Sequence, residues 1–253
     1  MIKFFRHIRQ SLIEQNKMGK YFKYAIGEIL LVVIGILIAL QINNWNEASK
    51  LKSIELDLLG DFKEGLEFDL SQIDSMDVQY DRAKSSILHV LNHLENNLPY
   101  SNHLDSIFFE TTLIFDSGGL TDGAYETLNS SGLNLISNKD ILNQIIIVYE
   151  EHNTWLVSWE ERYTNLLFEA QKDIYRPRFN DFWGGDYRNK NIVGTMTPRS
   201  YEALKNDEEF KHHLRTQLNL IGWLINKPAD ATRIEAEKLL HLINEELDTK
   251  QPK

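Results

Sequence analysis

Cysteine is absent from all 253 residues, so neither disulfides nor thiolate metal sites hold this chain together. Proline is missing between Leu51 and Leu94, and no run of alternating polar and apolar residues calls for a sheet. Gly-rich phosphate loops, nucleophile elbows, HExxH motifs and cysteine nucleophiles are lacking, which removes the familiar enzyme signatures and leaves no cofactor to expect. Positive charge is scarce beyond the N-terminus. Of 27 Lys and Arg, six lie in the first 23 residues; of 37 Asp and Glu, Glu14 and Glu28 stand in or beside that segment. The remainder carries 21 basic against 35 acidic residues, a surface that repels phosphate backbones and makes nucleic acid a poor partner.

What is present is a composition of folded proteins, 42% hydrophobic and 25% charged, with one apolar run unlike anything else in the chain. Residues 24–42 read YAIGEILLVVIGILIALQI, and no polar side chain falls between Ile29 and Leu40. As a helix this run is about 28 Å long, close to the ~30 Å of hydrocarbon that a span must cross. Tyr21, Phe22 and Tyr24 at one end and Trp45 at the other match the aromatic belts of the two headgroup layers. A cleaved signal peptide would need a small-x-small site after the run, where Leu40, Gln41, Ile42, Asn43 and Asn44 stand instead. A buried core helix would need protein on all sides and would leave the positive flank unexplained, so a membrane anchor is expected. Lys3, Arg6, Arg9, Lys17, Lys20 and Lys23 precede it and Asn43, Asn44, Asn46 and Glu47 follow, which orients the N-terminus to the cytoplasm and exports the rest. Ile2, Phe5, Ile8, Leu12 and Ile13 recur among the basic residues at helical spacing, the pattern of an amphipathic helix lying on anionic lipid. The expected division is residues 1–23 as a basic cytoplasmic segment, 24–42 as the transmembrane helix and 43–253 as the exported domain.

Beyond the span, Ile54, Leu58, Phe62, Leu66, Leu70, Ile73, Met76, Tyr80, Ala83, Ile87, Leu91 and Leu94 recur every three or four positions. This predicts one long amphipathic helix, or two with a kink at Gly60 or Gly65, running on from the membrane helix almost without interruption. Shorter helices are predicted at about 102–115 and 125–130, the latter capped by Asp122 and ended by Gly132. Ser137 with Asp140 resembles a capping box for a strong helix reaching about Tyr175. A loop from Arg178 to Met196 is too long for a simple connector; Thr197-Pro198 then reads as a helix start, and Pro228 separates a final helix. The fold class expected is all-α, a transmembrane helix followed by an antiparallel bundle of long helices.

The stretch IKFFRHIRQSLIEQNKMGKYFKYAIGEILLVVIGILIALQINNWNE, and more loosely LNSSGLNLISNKD, resembles a family of single-pass membrane-anchored proteins from the Bacteroidota, a domain of unknown function. The first match covers about 45 residues. The resemblance implies an envelope address and this topology, and supplies no catalytic residues.

Several constellations are candidates for chemistry or recognition. His89 and His93 share a helix face at metal-binding spacing, with Glu95 and His103 nearby, although packed or solvated histidines satisfy the same pattern. His212 and His213 beside Glu208 and Glu209 form an acid/base-like cluster without a cleft signature. Trp155, Trp159 and Tyr163 recur at i, i+4 and i+8, a spacing equally suited to core packing. Phe179, Phe182, Trp183 and Tyr187 crowd the long loop and make it the strongest ligand or partner site. Within the span, Glu28 is an ionisable group near the headgroups, and Gly35 with Ala39 forms a small-xxx-small pair that admits a second helix.

Three functions compete on these grounds. The leading one is a non-enzymatic envelope protein of the inner membrane, whose periplasmic helical domain binds a protein partner or small ligand. A membrane-tethered metal enzyme using His89 and His93 is the second. A structural protein that dimerises through Gly35 and Ala39 is the third.

Overall fold

The computed structural model describes residues 18–115, 117–186, 188–190 and 193–250, and the chain divides into two compact units, Met1–Glu55 and Leu56–Lys253. The amphipathic segment expected from Ile2 to Ile13, the side chains of Tyr21 and Tyr24, and Tyr187 of the long loop lie outside the described residues.

Helix α1, Met18–Glu95, is one uninterrupted element, and both Gly60 and Gly65 lie within it without a break. In the first unit its large apolar side chains from Ile29 to Leu40 are all exposed, the least so being Val33 at 44%. Among the described residues it is the one helix long and apolar enough to cross a membrane. In the second unit most of the predicted stripe is core: Leu58, Phe62, Leu66, Ile73, Met76, Tyr80, Ala83, Ile87, Leu91 and Leu94 are buried and Leu70 is half-buried, whereas Ile54, in the first unit, is exposed. Burying one such Leu, Ile or Phe side chain contributes roughly 1.5–3 kcal/mol, so this face alone accounts for a large share of the folding drive. Asn97 takes the left-handed conformation (φ 52°) just past the helix, and the Leu98 N–H bonds back to the His93 carbonyl at 3.0 Å, closing the end.

Helix α2, His103–Glu110, is shorter than expected. The hydroxyls of Thr111 and Thr112 donate to the carbonyls of Phe108 and Phe109 at 2.7 Å each and turn the chain out of the helix. Helix α3, Gly123–Ser131, ends where expected, at Gly132 with φ 100°, but the Asp122 side chain does not cap it. Helix α4, Lys139–Ile146, is capped by Asn138, whose side chain accepts the Asp140 N–H; Ser137 is not the cap.

From α4 the backbone stays helical through a π turn at Ile147–His152 into α5, Asn153–Ala170, and through another at Gln171–Tyr175 into the short α6, Arg176–Arg178. Pro198 does not start a helix. It pairs with Phe179 in an isolated β-bridge, and α7, Tyr201–Lys205, begins after Ser200, whose hydroxyl accepts the Ala203 N–H at 3.2 Å. Asp207 then caps α8, Glu208–Leu224. Pro228 does not separate the last two helices either. A π turn at Ile225–Ala229 absorbs it, because the wider turn accommodates a residue with no N–H, and α9, Asp230–Lys250, follows directly.

These elements form the all-α bundle expected, with no strand among the described residues. Helix α5 packs antiparallel to α8, with Trp159 stacked on Trp223, and α4 packs antiparallel to α9, with Gln144 bonded to Glu235. The α4–α5 path runs in the same sense as the buried part of α1, since Phe62 meets Tyr149 and Tyr80 meets Tyr163. Two parallel helices require a return connection, and residues 111–122 supply it, passing down between α1 and α5.

That return segment is irregular and partly buried, so its enclosed polar backbone groups need partners from side chains. Gln217 Nε2 donates to the Thr111 carbonyl and to the Tyr163 hydroxyl, while Tyr80 donates to the Phe115 carbonyl. Glu160 accepts from Ser117 N (2.8 Å) and Oγ (2.7 Å), Asn153 from Leu120 N (2.8 Å), and Asp69 from Thr121 N (2.9 Å) and Oγ1 (2.6 Å). Asp69 and Glu160 are 3% and 4% exposed, which identifies them as internal clamps of this strip and not as surface charges.

Candidate ligand-binding cleft

Where α5 gives way to the π turn and α6, the long loop folds back on itself. The Asn180 N–H bonds the Thr197 carbonyl at 3.0 Å, Gly184 and Thr195 exchange bonds at 2.9 and 2.8 Å, and the Arg199 N–H reaches the Arg178 carbonyl at 2.8 Å. Two short extended arms result, joined by isolated bridges and tied to α2 through Thr197 Oγ1 on Asp105 (2.7 Å) and to the return segment through Trp183 Nε1 on Thr112 Oγ1 (2.8 Å). Gly194 is what permits the close packing, because a Cβ there would land in the ring of Phe109.

Against this loop opens a cleft of about 410 Å³, lined by Phe168, Gln171, Lys172, Arg176, Phe179, Asn180, Asp181, Phe182 and Arg199. Of the aromatic residues predicted for a site here, Phe179 borders the cleft but is 2% exposed, held in the core by Phe108 and Phe210 at 5.1 and 5.7 Å. Phe182 is half-buried, stacked on Trp183 at 5.5 Å and set against Tyr175 at 5.7 Å. Trp183, at φ 55° and 51% exposed, supports Phe182 from outside the cleft. The cationic side of the cleft was not singled out in the sequence. Lys172 and Arg176 are four apart on one helical turn, and Arg199 arrives from the loop, its Nε donating to the Phe179 carbonyl at 2.9 Å.

The neighbouring Arg178 has a different role. It reaches Asp207 at 2.8 Å and Glu209 at 2.6 Å and donates to the Ile174 carbonyl at 2.9 Å, bracing α6 against the start of α8. These bonds raise its pKa, and Arg178 together with the Phe210 N–H holds the Asp207 carboxyl below its usual range despite the opposing cost of burial.

The other constellations are spread through the bundle. His89 and His93 stack with ring centroids 4.7 Å apart, and burial, then the charge of His89, lowers the pKa of His93. Glu95 is taken by Arg215 at 2.6 Å, and among the described residues no group of three His, Asp or Glu converges as a metal site. Of the 208–213 cluster, Glu208 pairs with Lys211 and Glu209 with Arg178, His212 is exposed, and His213 is buried edge-on to Tyr175 at 5.4 Å. Tyr163 lies in the core, Trp159 stacks on Trp223, and Trp155 is 39% exposed, so that stripe diverges into three environments. Glu28 is half-buried, and a Cβ on Gly35 would meet nothing within 4 Å.

A long N-terminal apolar helix followed by an all-α bundle with a cationic and aromatic cleft defines the class of molecule. The chain belongs to DUF6090, a family of unknown function whose profile matches residues 28–174. No curated protein and no solved structure is matched by this chain. The family match takes in the apolar helix, the clamped return segment and one wall of the cleft, including Phe168 and Lys172, while Arg176, Phe182 and Arg199 fall beyond it.

Proposed function

We propose that this is a non-enzymatic envelope protein, anchored by a single pass through the inner membrane and using its helical domain to bind a protein partner or small ligand. The observation that carries the reading is the exposed apolar run from Ile29 to Leu40: a soluble protein rarely leaves such a surface uncovered, and a bilayer covers it without any further chain. On this reading residues 1–23 are the basic cytoplasmic segment, 24–42 the span and 43–253 the periplasmic domain, and the host is one of the Bacteroidota. The open cleft beside Phe182 and Trp183 is the place of binding, with Phe179 as its packed floor.

Crosslinking in native membranes, followed by capture of the tagged full-length chain, tests the reading. A reproducible partner in near-equal amount is the expected result, lost when residues 1–46 are deleted. Substrate turnover by the purified protein, or unchanged behaviour in the cell after that deletion, overturns it.

A further inference from the structure

We propose that the cleft between α5–α6 and the long loop takes a small oxyanion, a carboxylate or phosphate monoester, carried on a flat apolar group. The inference rests on reading the bundle as a binding domain and names the ligand class of that same cleft.

Charge is the first argument. The chain carries a formal charge of −10, yet Lys172, Arg176 and Arg199 line one cleft with a single carboxylate, Asp181. Cations in the last turns of a helix commonly serve its carbonyl end or nearby acids. Arg178 does both here, through the Asp173 and Ile174 carbonyls and through Asp207 and Glu209. Those two carbonyls and two carboxylates are thereby served, and neither Lys172 nor Arg176 makes an ion pair or side-chain hydrogen bond with a described residue. Arg199 spends its Nε on the Phe179 carbonyl, which fixes the guanidinium beside the cleft, and neither Nη makes an ion pair or hydrogen bond with a described residue.

Geometry is the second. Lys172 and Arg176 are held at i and i+4 by the π turn Gln171–Tyr175, and such turns, which insert an extra residue into a helix, recur at functional sites. Arg176 and Arg199 supply planar donors that match the two oxygens of a carboxylate or phosphate, with Lys172 as a point charge. Phe168, 60% exposed on the last full turn of α5, and the half-buried Phe182 offer ring faces on the same cleft. A small inorganic anion would leave those faces wet, whereas an aromatic or aliphatic acid covers them. A volume of about 410 Å³ suits a molecule of that size.

The test uses the full-length chain in a neutral maltoside detergent, titrated with benzoate and phenyl phosphate and followed by ligand-observed NMR. Benzyl alcohol and inorganic phosphate are the controls for the apolar and charged halves. The expected result is saturable binding of both aromatic oxyanions, at least tenfold tighter than either control and at least tenfold weaker in the double variant Lys172→Gln, Arg176→Gln. Because those two side chains brace nothing, the variant retains the native circular dichroism and melting temperature. A soluble short-chain phosphatidate distinguishes two sources of the same chemistry: tighter binding than phenyl phosphate assigns a lipid headgroup, and the reverse order a free acid. Equal affinity for benzyl alcohol, binding unaltered in the double variant, or no binding of either aromatic anion overturns the proposal. If native-membrane capture still yields a partner while these anions do not bind, the ligand class falls and the binding function stands.

Discussion

At the scale of single residues, the informative side chains are polar groups standing where the helical pattern calls for apolar ones. Asp69 lies between Leu66 and Ile73, and Glu160 between Leu156 and Tyr163, each on the buried face of its helix. Neither is singled out in the sequence, where Leu70 and Trp159 read as the residues of those faces. Their partner, an irregular strip of backbone 52 and 43 residues away in the chain, is not visible there either, because helical periodicity carries no information about what crosses a helix face. Replacing Asp69 with Ala removes the acceptor for Thr121 N and Oγ1, whose place water can take because Thr121 is exposed; a loss of about 1–2 kcal/mol is expected in urea unfolding. Gly194→Ala, which drives a methyl into the Phe109 ring, should cost about 1–3 kcal/mol and lower the melting temperature while leaving the helical content intact. His213 gives a pH dependence. Burial first, then the charges of Arg178 and His212, brings its pKa from 6.5 down to about 4, with Tyr175 packed against the ring and Asp173, Glu169 and Glu209 along the same groove. The unfolded chain therefore binds a proton between those values that the folded chain refuses. Stability is fully present above pH 6.5 and falls as pH drops toward 4, by up to about 3 kcal/mol from this residue. Urea midpoints at pH 7 and pH 4.5 check it: His213→Leu should flatten the difference, and an unchanged slope in that variant would show that other groups carry it.

Elements were legible to the extent that a repeating pattern defined them. The stripe of α1, the helix from Lys139 and the stop at Gly132 all follow from spacing and from a glycine at positive φ, whereas the single helix expected from Thr197-Pro198 is divided into α7 and α8, the second starting only at the Asp207 cap. Proline was the misleading signal. A proline removes one donor and crowds the carbonyl four residues earlier, which in a regular α-helix costs roughly 3 kcal/mol and argues for a break. Pro228 meets neither penalty in full because its turn is a π turn, and Pro177 sits inside the short α6 right after another. Pro228→Ala should accordingly change stability by no more than about 1 kcal/mol in either direction. A loss above 2 kcal/mol would mean that the proline itself holds the turn together. Pro198 misled for a different reason. The position suits a helix start, yet the bridge to Phe179 keeps the chain extended for three more residues, a contact set by the loop's tertiary pairing and invisible locally. The same pairing brings Arg199 to the cleft, which is why the aromatic residues of the site were readable as a cluster and its cations were not.

For the molecule as a whole, charge distribution yields the most direct prediction. Six Lys and Arg precede the apolar run within 23 residues, and the residues after it, Asn43, Asn44, Asn46 and Glu47, carry no positive charge. Lys and Arg near the end of a span resist transfer across a membrane, whereas acidic residues contribute little to orientation, so on the proposed anchor reading this asymmetry should keep the N-terminus on the cytoplasmic side. An alkaline phosphatase fused after Lys253, which folds only once exported, should be active, and the same reporter fused before the span should be silent. Changing Lys17, Lys20 and Lys23 to Gln removes half of the basic residues, those nearest the span, and should lower C-terminal reporter activity several-fold without changing the thermal stability of the bundle. The two readouts separate the possibilities. Full reporter activity in the triple variant would remove charge as the determinant of topology, and a soluble chain after alkaline carbonate extraction would reject the membrane anchor itself.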